Sequence, residues 1–251
     1  MISLNEIYGH FDKILFKAIN ETLYMSFAST GFGFLLGLIL GTILYVTSKD
    51  GLYENKIAYR VLDFLINMLR SFPFLVLIIV LIPFTRYLMG RSTGTSAAIV
   101  PLTFGVAPFI AKLVQTSFSE VDKGVIEAAK SYGASRLQII FKVVLSEALP
   151  SIVNGITLTL IVVIGYSAMA GIVGAGGLGD VAIKYGYQRF RTDIMIETVA
   201  LLVVLVQVIQ IFGDFAHKVT KSGKNHLVYV YILIFISVVV FTSPEFLKLF
   251  K

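Results

Sequence analysis

The chain contains no cysteine and no tryptophan, and charged residues make up only 14% of its 251 positions. Without cysteine there can be no disulfide, zinc ribbon, iron–sulfur ligation or thiol nucleophile. The shortage of charge excludes an ordinary soluble surface, for which about 25% charged residues is usual. What fills the space is apolar: 57% of residues are hydrophobic and the mean hydropathy is +0.86. An integral membrane protein is expected. The net charge of +6 then reads as basic loops held at anionic headgroups, and not as a nucleic-acid surface. His10, His217 and His226 have no ligand spacing, and H-E-x-x-H is absent, so no metal is expected. The G-x-x-x-x-G-K-[ST] phosphate loop is absent too, since Lys218 stands where the first glycine before Gly223-Lys224 should be. The membrane segments offer no nucleophile–base set. Neither a cofactor nor enzymatic activity is expected of this chain, and any ATP-driven work must come from another subunit.

A membrane helix needs about 20 apolar residues, because each adds only ~1.5 Å of rise. Six segments qualify, at about Leu23–Val46, Val61–Phe84, Ser92–Val114, Ala148–Val173, Ile194–Phe215 and Leu227–Ser243. All are continuously apolar, unlike the alternating strands of a membrane barrel. The fold class is therefore all-α, a polytopic transmembrane helical protein. Uncharged sequence runs unbroken from Thr22 to Ser48, well beyond the ~7–15-residue core of a cleaved leader, so the first segment reads as a retained span.

Orientation follows from the 21 Lys and Arg residues. Twelve fall on the side of the 119–147 segment, counting Arg70 and Lys112 at span ends, and nine on the other. That places 119–147 in the cytoplasm. Tyr45, Tyr53, Tyr59, Tyr87, Tyr166, Tyr229 and Tyr231 sit near or within span ends, where an amphipathic ring anchors at the lipid interface.

Segment 119–147 is patterned. Val125, Ala128, Ala129 and Tyr132 fall on one helical face, Gly133 can supply a left-handed terminating residue, and Ser135 with Gln138 makes a capping box. A short helix, a tight turn and a longer helix running into the fourth span are expected. Ala128 and Ala129 would let a partner approach closely, and Glu127 offers it a charge. Lying flat on the membrane would produce a similar pattern, so docking and interfacial placement both remain open at this point.

Three other patterns are read structurally. Gly33, Gly37 and Gly41 make overlapping G-x-x-x-G steps for close helix packing. Gly174, Gly176 and Gly179 match G-x-G-x-x-G but follow an apolar helix and no strand, so they read as a turn leaving the membrane at the outer face and not as a nucleotide site. Asp63 and Arg70, seven apart on one helix face, read as a packing and anchoring pair.

Glu127-Ala128-Ala129, with Gly133 after three intervening residues and an apolar Val143 after nine more, resembles the EAA loop of ABC importer permeases. Here Leu145 is followed by Ser146 where the family commonly has proline, and Pro150 is the candidate for the kink into span four. The strings Arg70–Phe74, Ile82–Arg86, Ala97–Thr103, Ala107–Ala111, Gly165–Gly171 and Gly174–Gly179 extend the likeness over about residues 20–220. Together they resemble the permease subunit of bacterial methionine importers, a type I binding-protein-dependent inner-membrane component.

The resemblance implies a five-span core over residues 22–220; an N-terminal amphipathic segment (1–21) precedes it, and the extra C-terminal span (221–251) departs from the family's five-span pattern. The resemblance also implies a multi-pass protein of the bacterial cytoplasmic membrane, a homodimer of this chain, two separate ABC ATPase subunits and an extracytoplasmic methionine-binding lipoprotein. It implies coupling to the ATPase through Glu127, Ala128, Ala129 and Gly133. Met169, Tyr166 and Ser167, late in span four, are the expected passage residues. A permease for another small amino acid or amine is the alternative, as is a self-sufficient secondary transporter, which would need mid-membrane carboxylates in two repeats.

Overall fold

The structure is a computed structural model that describes residues 4–222 and 228–243. The described residues form helices and turns, without a strand. Helix α1 runs Leu4–Thr47, α2 Lys56–Arg70, α3 Phe74–Val80, α4 Ile82–Met89, α5 Thr95–Ser119 and α6 Lys123–Ser131. Then come α7 Arg136–Gln138, a π-helical stretch Ile139–Val144 and α8 Leu145–Ile172. The short α9, Gly177–Val181, leads into a second π-helical stretch, Ala182–Tyr187, and α10 Thr192–Lys221 and α11 Val228–Thr242 follow.

Four of these helices are long and apolar enough to cross a membrane, or five if α2 and α3 are joined. The expected second span, Val61–Phe84, is thus corrected: α2 and α3 meet at a bend of 101°. Pro73 causes it, since proline has no N–H to continue the helical ladder and pushes the residue before it out of the helical region. The described part of the expected sixth span is the apolar helix α11, Val228–Thr242. Leu227, where that span was expected to start, lies outside the described residues, as do Lys224, His226, Lys248 and Lys251.

Helix α1 spans 44 residues without a break. The expected boundary between residues 21 and 22 therefore falls inside one continuous helix. At about 66 Å this helix projects well beyond the hydrocarbon core. The centre of the bundle is α5, packed along α1 and touching α2, α3, α4 and α8. Thirteen of its residues are buried, from Ala97 to Phe118. The three-glycine face of α1 makes that contact possible. A Cβ on Gly37 would sit 2.6 Å from Ile110 Cγ2, and one on Gly41 would sit 2.5 Å from the Ala111 carbonyl oxygen. Larger residues there would hold the two backbones apart.

Asp63 does not pair with Arg70. Its carboxylate accepts from Lys112 Nζ of α5 and, at 3.0 Å, from Asn67 Nδ2. Lys112 also donates to Gln115 Oε1 at 2.9 Å, and Gln115 in turn donates to the Tyr59 hydroxyl at 3.2 Å. Arg70 instead lies over the Phe109 ring, 5.9 Å from its centroid. The network pairs Asp63 of α2 with Lys112 of α5, so neither of these two charges is left bare.

Candidate functional site

The 119–147 segment is built from three local devices. Asp122 starts α6 by accepting from the Gly124 N–H at 2.6 Å. Gly133, at φ +77°, ends it, and the Gly133 and Ala134 N–H groups donate back to the carbonyls of Lys130 and Ala129 at 2.9 and 3.1 Å. Ser135 opens the next helix with a reciprocal box: its Oγ accepts from the Gln138 N–H at 3.3 Å, and its own N–H donates to Gln138 Oε1 at 2.8 Å. These are the helix, turn and capping box expected from the sequence. The second helix then passes through the π-helical turn and into α8.

The segment is seated on the bundle by one face. Ile126, Ala129 and Ala134 pack against a core that includes Val121, Ile139 and Val144, and Leu52 joins them from the loop between α1 and α2. Arg136 stacks over Tyr53 of that same loop, 4.8 Å from the ring centroid, a brace worth about 0.5–1 kcal/mol at an exposed site. The opposite face is open. Glu127 and Ala128 are exposed, as are Val125, Tyr132, Leu137 and Phe141, with Tyr132 92% accessible. The expected face of Val125, Ala128, Ala129 and Tyr132 is therefore divided: Ala129 turns into the bundle and the other three turn outward. Tyr132 and Leu137 are exposed apolar groups on this open side of the segment.

The three expected passage residues sit late on α8 and point in different directions. Tyr166 stacks on Phe74 of α3, ring centroids 4.1 Å apart and 7° from parallel. Ser167 is buried and donates to the Ile164 carbonyl at 2.7 Å. Met169 alone of the three is exposed, at 46%. It belongs to an open stripe along α8 made by Asn154, Leu158, Val162, Gly165 and Met169, which recur every three or four residues and so share one face.

The glycine-rich stretch after α8 does not carry the chain away from the bundle. Gly174, Gly176 and Gly177 take positive φ of 83°, 87° and 79°, and α9 folds back against α8 and α1. Glu21 of α1 accepts from the Gly177 N–H at 2.8 Å, and Thr22 Oγ1 accepts from the Leu178 N–H at 2.9 Å. A second distant tie joins α10 to the start of α8, where His217 Nδ1 donates to the Pro150 carbonyl at 2.9 Å. None of these partners could be found from sequence spacing. Among the described residues no group of three His, Asp or Glu side chains is placed to hold a metal ion.

Comparison with known proteins agrees with this architecture. The sequence pattern of the family described as binding-protein-dependent transport system inner membrane component matches residues 33–243, a range that takes in α11. The chain is 52% identical over 201 residues to the probable D-methionine transport system permease protein MetI of Vibrio cholerae, covering 80% of this chain and 89% of that one. It is 47% identical over 200 residues to the methionine import system permease protein MetP of Bacillus subtilis, covering 80% and 90%. Among solved structures, an inward-facing MetNI methionine ABC transporter superposes with a TM-score of 0.82 at 44% identity, covering 87% of this chain and 99% of the matched one. With this bundle, this helix–turn–helix and these relatives, the chain belongs to the family of inner-membrane components of binding-protein-dependent transport systems.

Proposed function

We propose that this chain is the permease subunit of an ATP-driven importer that carries methionine across the bacterial cytoplasmic membrane. The observation that carries the reading is the likeness to methionine permeases over four fifths of the chain, joined to an exposed, braced helix–turn–helix on the cytoplasmic side. Two copies of the chain form the passage, two separate ATPase subunits supply ATP hydrolysis, and an extracytoplasmic binding lipoprotein delivers the amino acid.

The coupling role falls to the α6–α7 turn. Glu127, Ala128, Tyr132 and Leu137 present the docking surface, while Ala129 and Gly133 fix its attitude to the bundle. A rigid element is what this task requires, because ATPase closure must reach the spans as a displacement and not be absorbed in a soft loop. The Arg136–Tyr53 stack and the continuous path from α7 into α8 supply that rigidity. Residues 22–220 make up the transport core. Met169 and the open stripe of α8 face the passage. A flexible thioether flanked by Ala168 and Ala170 can close around a substrate and release it. Tyr166, fixed on Phe74, and Ser167, turned inward, position that helix.

The test is uptake of labelled methionine by cells lacking their own methionine importer and supplied with this chain, its ATPase and its binding protein. Saturable, energy-dependent uptake that excess unlabelled methionine abolishes is expected. Uptake of another amino acid in preference to methionine would overturn the substrate.

A further inference from the structure

Helix α10 is the least buried of the long apolar helices, yet it carries a polar line that the coupling and passage residues above do not use. Gln207 stands at the middle of this 30-residue helix, and Gln210 and Asp214 follow toward the cytoplasmic end. Gln207 and Asp214 are exposed and Gln210 is half-buried. Gln210 Nε2 donates to Asp214 Oδ1 at 2.8 Å, joining the two side chains along one face, with Gln207 one turn earlier. Amides at mid-membrane and a carboxylate below them are among the costliest groups to set against lipid tails. Such residues face a protein interior or a water-filled passage.

The packing of α10 says which side the line occupies. The helix lies antiparallel along α8, with His217 against Pro150, Gly213 against Thr157 and Ile209 beside Leu160 and Ile164. With 100° between successive residues of a right-handed helix, the flank of α10 adjoining the open stripe of α8 carries Gln210 and Asp214, with Gln207 beside them. The sides turned away from that stripe carry Val204 and Val208, both exposed and apolar. Asn154, exposed on the open stripe, lies at the depth of Asp214, because Pro150 and His217 mark a common level. Polar residues on both helices thus gather in the cytoplasmic half of one side, and above them the α8 stripe turns apolar through Leu158, Val162 and Met169.

We infer that Gln207, Gln210 and Asp214 of α10, with Asn154 of α8, form a hydrated polar wall in the cytoplasmic half of the passage, where they receive the charged end of the transported amino acid. Asp214 complements the ammonium group, and the amides of Asn154 and Gln207 donate to the carboxylate. The assignment of substrate groups rests on the proposed amino-acid transport. The hydration of the wall does not. The apolar outer half then handles the side chain and the polar inner half the zwitterion, so that release into the cytoplasm proceeds through water-like contacts.

The cysteine-free sequence allows a clean test. Single variants Gln207→Cys, Asp214→Cys, Val204→Cys and Val208→Cys are placed in inside-out vesicles carrying the assembled transporter, and a charged methanethiosulfonate is added. Only a thiol in water ionises and reacts readily, so cysteines at 207 and 214 are expected to react at least an order of magnitude faster than those at 204 and 208. Equal rates at all four positions, or no reaction at 207 and 214, would overturn the hydrated wall whatever the substrate is. For the substrate contact, Asp214→Asn and Gln207→Leu are expected to slow uptake several-fold with the ATPase still co-purifying, and Asp214→Glu to retain most of it. Unchanged uptake in the first two would overturn the contact while leaving the labelling result standing.

Discussion

Two glycine-marked turns, at opposite ends of the bundle, are used in opposite ways. At Gly133, φ is +77° and a Cβ would meet nothing within 4 Å. At Gly177, φ is +79°, and a Cβ would lie 2.8 Å from Thr22 Oγ1 and 3.0 Å from the Met25 methyl. The cytoplasmic turn needs glycine for its backbone alone and is open around it. The α8–α9 turn needs glycine for its backbone and for space, since it is pressed against α1. An open turn on a braced base suits a surface that another protein grips. A turn pressed against the middle of α1 suits a plug that holds α1 to the ends of α8 and α9.

Crowding the closed turn should have the largest effect. A Cβ on Gly179 would run into Ala168 backbone atoms, so Gly179→Val should abolish folded protein, read as loss of the monodisperse peak in detergent. Gly177→Ala combines overpacking of about 1–3 kcal/mol with a positive-φ penalty of about 1 kcal/mol, and a markedly lowered Tm is expected. Glu21→Ala comes next. It leaves the Gly177 N–H without its acceptor, at a cost of about 1–3 kcal/mol, and the thermal midpoint should fall while Glu21→Gln retains part of the loss. If Glu21→Ala unfolds like wild type, the closed turn does not depend on that cap.

The open turn predicts a different pattern of failure. Gly133→Val should cost only the backbone term, ~1 kcal/mol or somewhat more, and Glu127→Lys close to nothing in stability. Both should nevertheless lose ATPase co-purification and uptake. Retained co-purification and uptake in both would remove the distinction between the two turns. The smallest effect is expected from truncation at Asn225. The described part of α11 touches mainly α1, through Phe235 set 4.9 Å from the Phe27 ring and against Gly31. Uptake and ATPase docking should survive its loss, and failure of either would make α11 part of the transport core.

The two turns also show what the sequence discloses. Gly133, Ser135 and Gln138 were legible because their partners lie within four residues, where spacing alone sets geometry. The α1 glycines were legible because a repeat of four is itself a helix face. The closed turn was not legible in the same way. Its caps, Glu21 and Thr22, stand 156 residues before the groups that they bind, so a stretch read as leaving the membrane instead folds back. The Asp63–Lys112 pair, 49 residues apart, was hidden for the same reason, whereas the bend at Pro73 has a local cause that a continuous apolar run masks. Composition registers apolar length but not which helix a charge will meet.

In the proposed function this chain converts ATPase closure at an exposed cytoplasmic turn into methionine entry through the bundle. The most direct measurement uses proteoliposomes holding the chain with its ATPase, ATP on the cytoplasmic face, and the binding protein with labelled methionine on the other. Accumulation that requires ATP and is abolished by Glu127→Lys, with the bundle still folded, is predicted. Methionine accumulation equal in the presence and absence of ATP, or undiminished by Glu127→Lys, would contradict the account.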